Sequence, residues 1–78
     1  MKILICGAGQ VGYGIAEQLS AQKNDITVID SSSDLIENVN KSLDVLTIQG
    51  NGSYPHVLDA AGASEADIII AVTQADEV

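Results

Sequence analysis

Gly7-Ala8-Gly9-Gln10-Val11-Gly12 has the spacing G-x-G-x-x-G, and a carboxylate, Asp30, follows eighteen residues after the last glycine. Glycines so placed suit the holding of phosphate. Gly7 permits a tight exit from a strand, Gly9 lets backbone approach a pyrophosphate, and Gly12 lets the next helix pack close to the sheet. Phosphate oxygens then face the N–H groups of a helix N-terminus, where the dipole favours negative charge and no lysine is needed. Asp30, at the end of the following strand, can accept hydrogen bonds from ribose hydroxyls, with Ser31 beside it in the same candidate set. A 2′-phosphate there would be repelled, and Ser31-Ser32-Ser33-Asp34 offers no cation. The pattern therefore favours NAD(H) or ATP/ADP and disfavours NADP. Two blander readings compete: the glycines only make a tight turn, and Asp30 is a solvated turn residue or helix cap.

Two more segments fall where strands end and ligands of open α/β sheets bind. Gly50-Asn51-Gly52-Ser53 can face an adenine through the Asn51 amide or can simply be a turn of the usual turn residues, with Gly52 in the same candidate set. Thr73, opening Thr73-Gln74-Ala75-Asp76-Glu77, can reach a phosphate or belong to a solvated terminus. Groups for catalysis are few. His56 follows Pro55 at a helix start and reads as a surface or capping residue, while Cys6 lies in an apolar strand with no cation beside it to favour a thiolate. Tyr13 reads as packing or pocket edge, and Glu65 and Asp67 as solvated turn residues. No nucleophile and base are paired, so no catalytic residue is expected, and one Cys with one His cannot supply a structural zinc site.

The elements that must carry these residues follow from periodicity. Ile3-Leu4-Ile5-Cys6 is a continuous apolar run of the kind buried on both faces of a parallel sheet. Val11, Ile15 and Leu19 recur every four residues and predict a helix over 10–21. Asp25-Ile26-Thr27-Val28-Ile29-Asp30 is a β-branched second strand. Ser31-x-x-Asp34 resembles a capping box before a short helix carrying Leu35, Ile36 and Val39, with Lys41 near its end. Val45-Leu46-Thr47-Ile48 predicts strand three, Pro55 the first turn of a third helix, Gly62 its C-cap, and Ile68-Ile69-Ile70-Ala71-Val72 strand four. The order β-α-β-α-β-α-β implies right-handed crossovers and a Rossmann-like parallel sheet, a truncated four-stranded unit in the order 3-2-1-4. Strand four is apolar enough for burial on both faces, yet no helix follows to cover it, so apolar surface is expected to remain exposed on that side and the chain to associate as a homo-oligomer.

Composition narrows the setting. Seventy-eight residues make one small domain, and 46% hydrophobic residues without Trp or Phe point to an aliphatic core. Three Lys against eleven acidic residues give a net charge of -8, which repels nucleic acid and anionic lipid. No stretch approaches the roughly 20 apolar residues of a membrane span, and a single cysteine suits a reducing, cytosolic compartment.

The glycine loop, Asp30, the Gly50-Asn51-Gly52-Ser53 turn, the stretch from Ala61-Gly62-Ala63 through Ala66-Asp67, and the ending Ala71-Val72-Thr73-Gln74-Ala75-Asp76-Glu77 together resemble the KTN family. These nucleotide-binding domains are also called RCK N-lobes or TrkA-N domains. The resemblance spans residues 1–78 and implies a non-enzymatic regulatory domain of a bacterial potassium-uptake system. On that reading NAD(H), ATP or ADP binds the cleft, alters packing against other copies and gates a membrane potassium transporter, from the cytoplasmic side and without insertion. Members of the family usually continue through a six-stranded domain, so 1–78 is expected to be its first half. An Asp often stands near Asn51 in that family, and the amide here brings no charge. The alternative class is the cofactor-binding half of an NAD-dependent dehydrogenase, and a third is an oligomerisation scaffold without ligand.

Overall fold

The computed structural model describes residues 1–51 and 54–72. The elements are β1 (Lys2–Cys6), α1 (Gln10–Ser20), β2 (Asp25–Asp30), α2 (Ser33–Ser42), β3 (Leu46–Gln49), α3 (Pro55–Ala60), a 3-10 turn (Ala63–Glu65) and β4 (Ile68–Ala71). The four strands form one parallel sheet in the order β3-β2-β1-β4, the order the sequence predicts.

β1 lies between β2 and β4, and its register sets the rest: Ile5 pairs with Val28 on one side and with Ile70 on the other. Alternation along the strands divides the core into two layers. Ile3, Ile5, Ile26 and Val28 pack with Ala16 of α1 and Val39 of α2. On the other face, Leu4 and Ile29 pack with Ala61 and with Val57 and Leu58 of α3. Ile3, Leu4 and Ile5 are all essentially solvent-free, and each such aliphatic side chain contributes about 1.5–3 kcal/mol relative to exposure.

Helix limits follow local chemistry. Ser32 caps α2, its hydroxyl accepting the Leu35 N–H at 3.3 Å, with Asp34 in the first turn and Lys41 in the last. The capping box expected from Ser31 to Asp34 does not form: Ser32 is a single cap, Leu35 has no side-chain acceptor to reciprocate, and Ser31 is exposed. Pro55 opens α3 as expected, where its missing N–H costs nothing. Gly62 adopts φ +86 just beyond the Ala61 C-cap and leads into the 3-10 turn, which no periodicity in the sequence announces.

Three other expectations are corrected. β3 begins and ends one residue later than read, because Gln49 rather than Val45 joins the ladder, paired with Asp30. β4 ends at Ala71, one residue before the Val72 expected, while Ile68 at 41% and Ile69 at 50% exposure carry the uncovered apolar surface expected of this strand, an edge strand among the described residues. Glu65 and Asp67 are tied rather than merely solvated. The Asp67 carboxylate accepts the Lys2 backbone N–H at 2.8 Å, and Glu65 pairs with the Lys2 ammonium at 3.1 Å. Together they fasten the start of β4 to the start of β1.

Candidate functional site

β1 ends at Cys6, and the chain leaves it through Gly7 at φ +123, a conformation that side chains rarely adopt. The Gly7 N–H donates to the Ile29 carbonyl at 2.7 Å, and the Val72 N–H donates to Cys6 at 2.8 Å, so the loop is held by backbone on both sides. A Cβ on Gly7 would lie 2.6 Å from the Val72 carbonyl oxygen. Gly12 is buried in the first turns of α1, and a Cβ there would collide with the Gly7 carbonyl oxygen. These two glycines are thus required by close approach of backbone to backbone.

Gly9 is the N-cap of α1, in extended conformation, and its carbonyl accepts the Tyr13 N–H at 2.8 Å. A glycine cap brings no side-chain acceptor, and the first turn of α1 holds no acidic residue. The contrast with α2 is direct: that helix has Ser32 and Asp34 at its start. The positive end of the α1 dipole is therefore left without a carboxylate of its own, a local environment suited to an outside anion.

Asp30 closes the other side. One carboxylate oxygen accepts the Ala8 N–H at 2.8 Å and the other accepts the Ser32 N–H at 2.8 Å. Its carbonyl accepts the Gly50 N–H at 2.8 Å, which brings the turn after β3 against the end of β2. A carboxylate oxygen has two lone pairs, so each retains acceptor capacity beyond these bonds. Ala8 is buried, whereas Gln10, Val11, Ser31 and Asn51 are exposed around the same end of the sheet. Gly52 and Thr73 lie outside the described residues. The structure thus bonds Ala8 to Asp30, packs Gly7 closely against Gly12, and ties Gly50, the residue before Asn51, to the Asp30 carbonyl. Sequence reasoning treated Asp30 as a ribose acceptor or as a turn residue or helix cap and missed its hold on Ala8; the bond links residues twenty-two apart and has no signature in spacing.

The described residues provide little for covalent chemistry. Burial pushes the Cys6 thiol above its ordinary value, leaving it a poor nucleophile. His56 stacks on Tyr54, and no cluster of three metal-ligating side chains occurs among the described residues. A concavity of about 340 Å³ opens at the opposite, amino-terminal end of the strands, lined by Lys2, Asp25, Asp44 and Leu46 among others. Its mixed charges and position set it apart from the glycine loop, since open α/β sheets take ligands at the carboxyl ends. No helix among the described residues is long and apolar enough to cross a membrane.

The sequence profile of the TrkA-N domain matches residues 3–78. The chain belongs to the TrkA-N domain family. This TrkA-N domain is 51% identical over 78 residues to the Trk system potassium uptake protein TrkA of Azorhizobium caulinodans and 53% identical to that of Halomonas elongata. In both cases all of the chain is matched, and it spans 17% of the relative's length. Among solved structures it is similar to the Shewanella denitrificans Kef CTD in AMP-bound form, with TM-score 0.77 and 27% identity. That likeness covers 99% of this TrkA-N domain and 46% of the Kef chain.

Proposed function

We propose that the chain is a regulatory nucleotide-binding domain of a bacterial potassium-uptake system, holding adenosine and phosphates between the glycine loop and Asp30. The observation that carries this reading is the Ala8–Asp30 bond beside the α1 N-terminus, which has no side-chain cap. Phosphate oxygens meet the N–H groups at Gly9, Gln10 and Val11, and the spare lone pairs of Asp30 accept from the ribose. Ser31, Asn51, Gly52 and Thr73 complete the set around the ribose, base and distal phosphate. The AMP held by the similar Kef structure and the potassium-uptake names of the relatives support the choice of an adenine nucleotide and of the process.

NAD(H), ATP and ADP share the adenosine and phosphates that this set recognises. NADP is disfavoured because its 2′-phosphate would face Asp30 with no cation in residues 31–34. The domain binds without turnover, acts on a membrane potassium transporter from the cytoplasm, and associates with further copies through β4, which has no outer strand neighbour among the described residues. Such control requires that nucleotide bind more tightly to one arrangement of the assembly than to another.

Calorimetric titration of the chain with AMP, NAD, ATP and NADP tests the site. Asp30→Ala should weaken AMP, NAD and ATP by roughly ten- to hundredfold, the usual loss of hydrogen bonds to a charged group, and NADP by less. Asp34→Ala, on the exposed first turn of α2, serves as the control and should change little. Unaltered AMP, NAD and ATP affinity in Asp30→Ala, or a wild-type preference for NADP, overturns the ribose assignment.

A further inference from the structure

Tyr13 and Tyr54 are the chain's two tyrosines, and Phe and Trp are absent. Tyr13 packs against the core. Tyr54 remains 53% exposed, and its ring stacks on that of His56, itself exposed, with centroids 5.7 Å apart and planes inclined by 13°. Offset stacking of this kind covers one face of each ring.

The backbone beneath the pair is fixed from both sides. The Tyr54 N–H donates to the Asn51 carbonyl at 3.1 Å, and the Tyr54 carbonyl accepts the Val57 N–H at 3.0 Å and the Leu58 N–H at 3.2 Å. Pro55 restricts the link between the two rings, while Val57 and Leu58 pack into the core below. The same turn begins at Gly50, hydrogen-bonded to the Asp30 carbonyl. A stacked aromatic pair therefore stands close in the chain to Gly50, which bonds the Asp30 carbonyl at the carboxyl end of β2. Neither Lys nor Arg occurs between Ser42 and Val78, so the segment suits a neutral ring better than a phosphate.

We propose that Tyr54, supported by His56, is a stacking platform for the purine base of the bound nucleotide. The inference rests on the adenine-nucleotide reading above and adds to it a base-recognising element outside the glycine loop. Every base has a π-face, so the platform contributes affinity for the ring while the ribose and phosphate contacts stay as they are.

The experiment compares AMP with ribose 5-phosphate, which keeps the sugar and phosphate and lacks the base, by NMR titration of the chain and its variants. Tyr54→Leu should weaken AMP about tenfold, the scale of one base stacked on an aromatic ring, and leave ribose 5-phosphate within twofold. Tyr54→Phe should keep AMP affinity within about threefold. Tyrosine emission supplies a second readout: AMP should quench it in the wild type and in Tyr13→Phe, and not in Tyr54→Phe. Unchanged AMP affinity in Tyr54→Leu, or an equal loss for AMP and ribose 5-phosphate, overturns the platform. If AMP then still weakens in Asp30→Ala, the nucleotide site itself stands. Absence of AMP binding to the wild type overturns both.

Discussion

The Asp30 carboxylate accepts the backbone N–H of Ala8 at 2.8 Å, so the residue proposed to receive a ribose also holds the glycine loop in position. Its second oxygen holds the Ser32 N–H at the start of α2. Loss of this carboxylate should therefore reduce stability as well as affinity. Asp30→Ala is expected to lower the unfolding free energy by about 1–3 kcal/mol, read from urea denaturation without ligand. Asp30→Asn, which keeps one carbonyl acceptor, should lose less. Equal stability of all three chains would show that the two bonds are not maintained in solution.

The glycines of α1 should respond oppositely to one added methyl group. At Gly12 the new carbon meets the Gly7 carbonyl oxygen, a backbone atom that cannot move aside without distorting the loop. Gly12→Ala should cost about 2 kcal/mol or more, in the range of overpacking, and impair nucleotide binding. Gly14 faces open space. Gly14→Ala should stabilise the chain by roughly 0.5–1 kcal/mol by reducing the freedom of the unfolded backbone within a helix. Thermal unfolding of the two variants checks both signs.

Cys6 gives a pH-dependent prediction. Burial raises its thiol pKa above the ordinary 9.0, so the unfolded thiol ionises first as pH increases. The folded state keeps its full advantage below 9.0 and loses part of it as pH rises from there through the folded value. Iodoacetamide should accordingly label the native chain several-fold more slowly than the urea-unfolded chain at pH 8, since the thiolate reacts. Equal rates would contradict the burial of this group.

Self-association should depend on the edge strand. Ile68 and Ile69 are exposed on β4, whose outer side has no strand neighbour among the described residues. Sedimentation from micromolar to millimolar concentration should show an increase in mass for the wild type. Ile69→Lys, placing a charge on that edge, should shift the association to at least tenfold higher concentration. A wild-type chain that stays monomeric throughout this range removes the association from the proposed function.

What could be read from sequence was set by pattern. β2 is legible at both ends because a β-branched run stands between turn-formers and an acidic residue, and α1 because its apolar positions recur at helical spacing. β3 slipped by one, since Val45 is apolar for packing while Gln49, a polar residue, joins the ladder. The exposure of Ile68 and Ile69 agrees with the expectation of an apolar strand four left uncovered on one side. The glycine loop and Asp30 were legible as types at a spacing. Their mutual bond, and the fastening of Lys2 by Glu65 and Asp67, join residues far apart in the chain and exist only once the strands are side by side.

Gly7 and Val72 are so close that no carbon atom fits between the loop and the exit of β4. The two backbones therefore have no slack. A shift of the glycine loop toward β4 would press directly on the point at which the chain leaves the sheet, while the Val72 N–H bond to the Cys6 carbonyl ties that exit to the end of β1. In mechanical terms the missing side chain puts strand exit and glycine loop in direct contact, where a bulkier residue would hold them apart.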